Sequence, residues 1–340
     1  MKEDEFEGLF GPNDRKDKIK LSYSRISDFD RNGAKALIDR TIVDTDGAKI
    51  GLLTDDLLND IINKTRLFKE KYYIFNGDKP TATLGKLSDI ILKNYTKIPN
   101  DKELLKIAET NKFWKSQKDE TKLTNIDVPE FKDYINAQFM SKQKILVTTS
   151  EVDLAQDLVD TLLIHNNSKY IFNSNNELIN QIKFEFEYKD FLLRGILDIL
   201  SINHKNKTIQ MIDLKTGTNP ISEFINSFLK WRYYIQEAIY TKASDVITKQ
   251  FGLEGYKLLP FQFLFISRYE KTPFIYEIGD KWHEAALKGF KTSLGWEYKG
   301  LEELLENIKW HVDNKIFDTT KEIYNSKGIM NLNDEFITIK

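Results

Sequence analysis

Gly195-Ile196-Leu197-Asp198, Ile212-Asp213-Leu214-Lys215-Thr216-Gly217 and Gln236-Glu237-Ala238-Ile239-Tyr240 follow one another within about fifty residues of this 340-residue chain. The segments around them decide the fold. Gln181 to Tyr188 alternates strictly, with Ile182, Phe184, Phe186 and Tyr188 on one side and Gln181, Lys183, Glu185 and Glu187 on the other, the period of a half-buried strand. Lys189-Asp190 reads as a short turn, Phe191 to Ile202 as a second strand, Asn203 to Asn206 as a polar turn, and Thr208 to Lys215 as a third strand. The result is an antiparallel meander. A turn centred between His204 and Lys205 sets Asp198 opposite Met211 with Asp213 as its diagonal neighbour, roughly 7–8 Å away at Cα. The same registers set Gln181 opposite Asp198 and Glu185 opposite Arg194, where a cross-strand ion pair is expected.

Two carboxylates converging beside a lysine have a definite chemistry. Mg²⁺ prefers oxygen ligands and keeps several waters, so one or two carboxylates plus a substrate phosphate suit it. Asp198 and Asp213 are the expected ligands, with the backbone carbonyl of Leu214 as a third. Lys215, two residues from Asp213 on the same strand face, would orient the attacking water and stabilise the charge at phosphorus as a point charge. An Asp-x-Lys alone is usually surface decoration. Here it sits in an apolar strand, where an unpaired charge is costly. Gln236 and Tyr240, one turn apart on a following helix, complete the candidate catalytic set, and Arg194, Thr216, Arg232 and Tyr240 are the candidate DNA contacts.

The order Gly-x-x-Asp, apolar-Asp-x-Lys-Thr-Gly, Gln-x-x-x-Tyr resembles the RecB-like branch of the PD-(D/E)xK nuclease superfamily, and most closely the phage and prophage recombination exonucleases of the exodeoxyribonuclease VIII type. Leu21 to Phe29 looks like that group's Ser-x-Ser entry helix, Thr83 to Asp89 like its Gly-x-x-x-His helix, and Trp231 to Gln236 leads into the Gln–Tyr helix in the same manner. Asp89 stands where relatives carry a histidine, and a carboxylate still suits a hard cation, so Asp89 is the expected additional metal ligand. Relatives also carry a glutamate on the strand before the first aspartate. Gln181 stands in that place unless the register brings Glu185 or Glu187 there. The resemblance implies a restriction-endonuclease-like α/β fold, a central mixed sheet flanked by helices with a helical N-terminal half. It also implies a Mg²⁺-dependent DNA exonuclease acting on linear duplex ends, with Mn²⁺ able to substitute, a homo-oligomer threading DNA, and a single-strand annealing protein as partner. An endonuclease or a defence or packaging nuclease with the same site, and a catalytically idle DNA-binding relative, are the competing functions.

The rest of the chain bounds this reading. Residues 1–20 read as a flexible leader and 21–340 as a single nuclease domain, its helical part over about 21–165 and its catalytic core over about 166–300. Helices are expected near 22–40, 54–70, 83–94, 101–117, 128–140, 152–165, 223–249 (with room for a bend near Lys230), 280–296 and 301–314, with further strands at 260–267 and 274–278. The chain has no cysteine and four scattered histidines, which excludes thiolate zinc and iron–sulfur sites. No apolar run reaches the roughly twenty residues of a membrane span, so a bacterial cytoplasm, that of the host if phage-encoded, is the expected location. The net charge of −2 gives DNA no bulk electrostatic attraction. A local basic set around Arg194, Lys205, Lys207, Lys215, Lys230 and Arg232 would have to line its path instead, while a second set, Lys112, Lys115, Lys118 and Lys122, reads as a solvated helix face ahead of a DNA-facing arm.

Overall fold

The computed structural model describes residues 18–39, 48–141, 143–172 and 174–328. Most of the expected leader lies outside them. The strands are β1 Ile19–Ser22, β2 Tyr72–Phe75, β3 Ile145–Thr148, β4 Glu177–Tyr188, β5 Phe191–Asn203, β6 Thr208–Gly217, β7 Lys257–Leu258, β8 Gln262–Ser267, β9 Pro273–Glu277, β10 Phe290–Lys291 and β11 Glu297–Tyr298. The helices are α1 Tyr23–Asn32, α2 Ala48–Asn63, α3 Leu67–Lys71, α4 Ala82–Asn94, α5 Asp101–Thr110, α6 Asp119–Ile126, α7 Pro129–Ser141, α8 Thr149–Ile164, α9 Lys169–Phe172, α10 Phe224–Lys230, α11 Tyr233–Lys242, α12 Ser244–Gln250, α13 Asp280–Lys288, α14 Leu301–Asn314 and α15 Lys321–Asn325.

Contacts divide the chain into two compact units, one formed by Met1–Ala48 with Thr161–Lys340 and the other by Lys49–Asp160. The sequence reading instead takes 21–340 as one domain with a seam near 165. The difference lies in β1: these four residues pair with β5 and tie the start of the chain to its second half, leaving the intervening helices as an insertion. In that inserted unit β2 and β3 pair in parallel, and Leu84, Leu87, Ile91, Leu104, Ile107, Phe131 and Ile135 form a helical core. The amphipathic stripe at 152–165 is realised as α8, whose start is closed by Glu151. Its carboxylate accepts from the Thr148 N–H at 2.9 Å and meets Lys49 at 2.9 Å and Lys79 at 2.6 Å. Burial opposes ionisation there, but the two lysines and the Thr148 N–H outweigh it and hold the carboxyl down at about 2.

The other unit carries a seven-stranded mixed sheet in the order β1-β5-β6-β8-β9, with β4 also on β5 and β7 also on β6. β4, β5 and β6 form the expected antiparallel meander. Between β5 and β6 the register is Ile199↔Ile212 through Asn203↔Thr208, two residues from the expected one. The connecting turn occupies His204 to Lys207, with Lys207 in the left-handed region at φ 51°, so its centre lies one residue beyond the expected point between His204 and Lys205. Continued one step, the observed register sets Asp198 directly opposite Asp213 rather than diagonal to it.

β5 has two partners on the edge away from β4. β1 covers Phe191 to Arg194 in parallel, and β6 covers Ile199 to Asn203 antiparallel. Between them Gly195 to Asp198 lie at the crotch of a fork whose arms are β1 and the free half of β6. That half of β6, Asp213 to Gly217, is paired on its other side by β8. Apolar residues from α1, α10, α11, α12 and α14 pack on one face of this sheet, with Ile26, Phe228, Ile235, Ile239, Ile247, Leu304 and Ile308 in one core with Leu193, Leu197, Leu200 and Met211. The helix expected over 223–249 is broken into α10, α11 and α12, with Arg232 at φ 62° marking the first break.

On the far side of α11 from the sheet edge, Glu237 is buried at 2 % exposure and accepts from His283 Nδ1 at 2.8 Å and Thr241 Oγ1 at 2.8 Å. The Glu237 contact raises the His283 pKa above 6.5, against burial. A pKa raised on folding adds stability that is fully present below the unfolded value near 6.5 and lost as pH rises through the higher folded value. Melting temperature is therefore expected to fall as pH rises through that window, and Glu237→Gln is expected to flatten the profile there.

Candidate metal centre and its neighbours

The fork explains why the meander gathers polar side chains here. Where the β5–β6 ladder stops at Ile199↔Ile212, the next N–H on β6 that would need a cross-strand acceptor is that of Leu214. It donates to Asp198 Oδ2 at 2.8 Å, so a side-chain carboxylate stands in for the missing strand. Asp198 Oδ1 accepts from Gln181 Nε2 at 3.3 Å, as the expected Gln181–Asp198 register allows. The pair is also where the pleat breaks. Leu197 and Leu200 join the same core cluster although an odd spacing puts residues on opposite faces of a regular strand. Gln181 adopts φ 54°, yet the β4–β5 register is the same on both sides. Both strands thus change face together at Gln181 and Asp198, with no residue inserted, and a left-handed non-glycine residue of this kind is a form of strain that clusters at functional sites.

Asp213 is 1 % exposed. Its Oδ1 accepts from Gln236 Nε2 at 2.6 Å, and its Oδ2 forms an ion pair with Lys215 Nζ. The Lys215 ammonium also lies 4.8 Å from the centroid of Tyr233 and 5.8 Å from that of Phe263, favourable faces for a cation. Burial pulls the Lys215 ammonium down, but the charge of Asp213, assisted by Asp198, outweighs it, and the lysine is held above its ordinary value. Burial pushes the Asp213 carboxyl up, against Lys215, Asp198 and Gln236. The pair is thus an ammonium facing a carboxylate that burial disfavours, and further positive charge beside Asp213 would relieve it.

Gln236 and Tyr240 act together. The amide nitrogen of Gln236 also donates to the Tyr240 hydroxyl at 3.1 Å, and that hydroxyl donates to the carbonyl of Ile196 at 2.8 Å. Asp213 on β6 is thereby linked through α11 to the bare stretch of β5. Tyr240 is only 5 % exposed, its ring meets Phe184 edge-on at 5.1 Å, and it lines a cavity together with Arg194 and Gly195. Gly195 follows from this packing: a Cβ there would fall 2.5 Å from Phe184 Cζ and 3.0 Å from Tyr240 Cε1. Gly195→Ala is expected to cost about 1–3 kcal/mol as overpacking and to displace the Tyr240 hydroxyl from Ile196, measurable as a lower melting temperature.

The N-terminal segment supports the same helix. The Tyr23 hydroxyl and Ser27 Oγ both donate to the carbonyl of Trp231, and Arg232 binds Asp30 and the carbonyl of Leu229. Arg232, expected to contact DNA, thus holds the left-handed turn that starts α11. Arg194 is exposed and Thr216 half-buried. Glu185 pairs with Lys20 on β1 at 2.7 Å and stands opposite Arg194 in the ladder. A cavity of about 680 Å³ opens here, lined among others by Ser22, Ser24, Lys183, Glu185, Arg194 and Gly195. Asp89 is exposed on α4 in the inserted unit, so it belongs to a different body from the fork.

Among the described residues no group of three or more His, Cys, Asp and Glu side chains gathers to hold a metal ion. The fork offers two carboxylates, a number that suits Mg²⁺ with its retained waters. It also offers the carbonyl oxygen of the Gln236 side chain, which is buried without a hydrogen-bond partner, an unsatisfied acceptor that a cation would satisfy. The oxygen-donor set fits a hard divalent ion. Gln236 Oε1 was not among the metal donors expected from sequence, and nothing in the helix pattern marks it as one.

The chain matches no family model and no curated protein. Among solved structures it is similar to a crystal structure named "Putative exonuclease" from Eubacterium rectale, at 13 % identity and a TM-score of 0.37, over 94 % of this chain and 89 % of that one. A likeness this loose fixes neither family nor activity. No helix among the described residues is long and apolar enough to cross a membrane.

Proposed function

We propose that this protein is a Mg²⁺-dependent deoxyribonuclease with a RecB-like PD-(D/E)xK core, acting as an exonuclease on linear duplex ends in phage-type recombination or DNA processing. The observation that carries the reading is the buried Asp213–Lys215 ion pair at the sheet fork, with Asp198 beside it and Gln236 clamped to Asp213. A buried ion pair is weak evidence for stability, since apolar residues of like volume often do as well, so its presence at a strained, partly bare sheet edge favours a chemical use. The carboxylates of Asp198 and Asp213, with the Leu214 carbonyl and Gln236 Oε1, would hold the ion. When bound, Mg²⁺ supplies Lewis-acid polarisation of a phosphoryl oxygen and a water of lowered pKa. Lys215 holds a fixed positive charge where the negative charge at phosphorus grows, and the burial around it makes that charge count for more than in water. Gln236 and Tyr240 hold Asp213 in place, and Arg194 and Thr216 line the approach of the DNA backbone. Mn²⁺ would substitute for Mg²⁺, and a homo-oligomer and a single-strand annealing protein in a bacterial cytoplasm complete the proposal.

End-labelled linear duplex and covalently closed circular duplex, incubated with the protein in Mg²⁺ and in EDTA, test it. Metal-dependent loss from linear DNA alone is the expected result. Cut circles would indicate the endonuclease, defence or packaging function instead, and absence of any metal-dependent cleavage would indicate an idle DNA-binding relative. Asp89 is proposed as a further ligand on its place in the Gly-x-x-x helix. Asp89→Asn is then expected to raise the Mg²⁺ concentration needed for half-maximal cleavage, and an unchanged metal titration would leave α4 as scaffold.

A further inference from the structure

A second cavity, of about 750 Å³, opens between α10, α13 and the β10–β11 hairpin, and nothing in the nuclease reading uses it. The sequence period continues α13 to residue 296, but the helix stops at Lys288 because Gly289 takes φ 91° and a Cβ there would fall 2.8 Å from the Tyr298 carbonyl. The chain turns instead into the hairpin, pairing Phe290 with Tyr298 and Lys291 with Glu297. Its base is anchored. Phe290 stacks on Tyr298 at 5.1 Å and meets Trp282 edge-on at 5.3 Å. Its tip is fixed too: Thr292 N–H donates to the Trp296 carbonyl at 2.8 Å, Trp296 N–H to Thr292 Oγ1 at 3.1 Å, and Gly295 N–H to the Thr292 carbonyl at 2.9 Å.

On this rigid tip Leu294 is 84 % and Trp296 68 % exposed, and Ile225 across the groove is 46 % exposed. Singly exposed apolar residues need no explanation, but two on a fixed turn and a third across the same groove form a patch. The charged residues lining the groove are Lys281 and Lys291, with no acid among them. Lys281 has no ion-pair partner among the described residues, and Lys291 reaches Glu297 at 3.1 Å with both side chains mostly in solvent, a contact of little strength. A flat aromatic face flanked by lysines complements a chain with exposed flat bases and regularly spaced phosphates. Single-stranded nucleic acid has that chemistry, whereas a duplex hides its base faces.

The geometry points to a binding site for single-stranded DNA in this groove, with Trp296 as the stacking platform and Lys281 and Lys291 as phosphate contacts. The choice of DNA as the strand rests on the nuclease reading. The test is fluorescence anisotropy of a labelled oligothymidylate of about twenty nucleotides, long enough to fill such a groove, titrated with the full chain in EDTA so that no cleavage intervenes. Trp296→Ala is expected to weaken binding about tenfold or more and Trp296→Phe to restore most of it, since stacking is the proposed contact. Lys281→Glu is expected to weaken binding and flatten its salt dependence. Because Trp296 is mostly exposed, melting temperatures should stay near wild type. Failure of the wild-type chain to bind the oligonucleotide, or equal binding by Trp296→Ala, would overturn the site. So would a change in the sedimentation of the protein alone on Trp296→Ala, which would mean that a second copy of the chain covers the hairpin. The two readings fail separately. Loss of oligonucleotide binding in Trp296→Ala without any Mg²⁺-dependent cleavage by wild type would keep the groove and sink the nuclease. Equal binding by Trp296→Ala beside intact wild-type cleavage would do the reverse.

Discussion

Asp213→Asn is expected to abolish Mg²⁺-dependent cleavage and to destabilise the fold at the same time. The aspartate is 1 % exposed and is the ion-pair partner of Lys215. Its removal leaves an ammonium buried without a counter-charge, a change that typically costs about 3–5 kcal/mol. The amide also puts two competing donors, its own and that of Gln236, at one short contact. Asp198→Asn should separate the two effects. Asp198 is half-buried and accepts from the Leu214 N–H and, at 3.3 Å, from Gln181 Nε2. The amide oxygen of asparagine still serves the first and the Gln181 amide can turn over to meet the new N–H group, so activity should vanish with a smaller change in melting temperature than Asp213→Asn gives. Burial distinguishes the two aspartates, Asp213 at 1 % exposure and Asp198 half-buried. Denaturant unfolding beside single-turnover cleavage checks both variants. Near-wild-type turnover of either in Mg²⁺ would remove that residue from the site.

Lys215→Met is expected to lower turnover by orders of magnitude, because its charge serves the transition state more than the ground state. The methionine keeps an unbranched apolar stem while deleting the charge that lies over Tyr233 and Phe263. In EDTA the variant should melt lower than wild type, since Asp213 keeps its burial and loses its counter-ion. A ligand that binds only the folded state stabilises it by mass action, so added Mg²⁺ should raise the melting temperature of the variant more than that of wild type. A variant with wild-type turnover, or one whose melting temperature ignores Mg²⁺, would contradict the assigned role.

Much of this geometry was legible in the residues. The alternation of Gln181 to Tyr188, the polar turn after Asn203 and the apolar run at Ile209 to Leu214 dictate the meander, and the spacing of Asp213 and Lys215 puts them on one face. Gln236 and Tyr240 meet because a four-residue step is one helical turn. What could not be read there depends on contacts between distant segments. The turn sits one residue later than expected, at His204 to Lys207, with Lys207 in a left-handed conformation that its side chain does not advertise, and a one-residue displacement of a turn moves the register by two. The break at Gln181 and Asp198 is invisible to a pattern that assumes an unbroken pleat. The burial of Tyr240 comes from Phe184 and Gly195 on other strands, which no helical period shows. The four residues of β1, lying where a leader was expected to end, are too few to show any period.

Their pairing has a consequence for how the protein is made. Ile19 pairs with Phe191, roughly 170 residues later, and synthesis at about 5–20 residues per second leaves the first strand without its partner for about 10–30 s. The whole of Lys49–Asp160 emerges during that wait. An early collapse of this segment brings its two ends under control and shortens the loop that β1 must close on β5. The fork therefore cannot close until β5 and β6 have emerged: β1, one of its arms, has to be held in reserve as an unpaired strand until then.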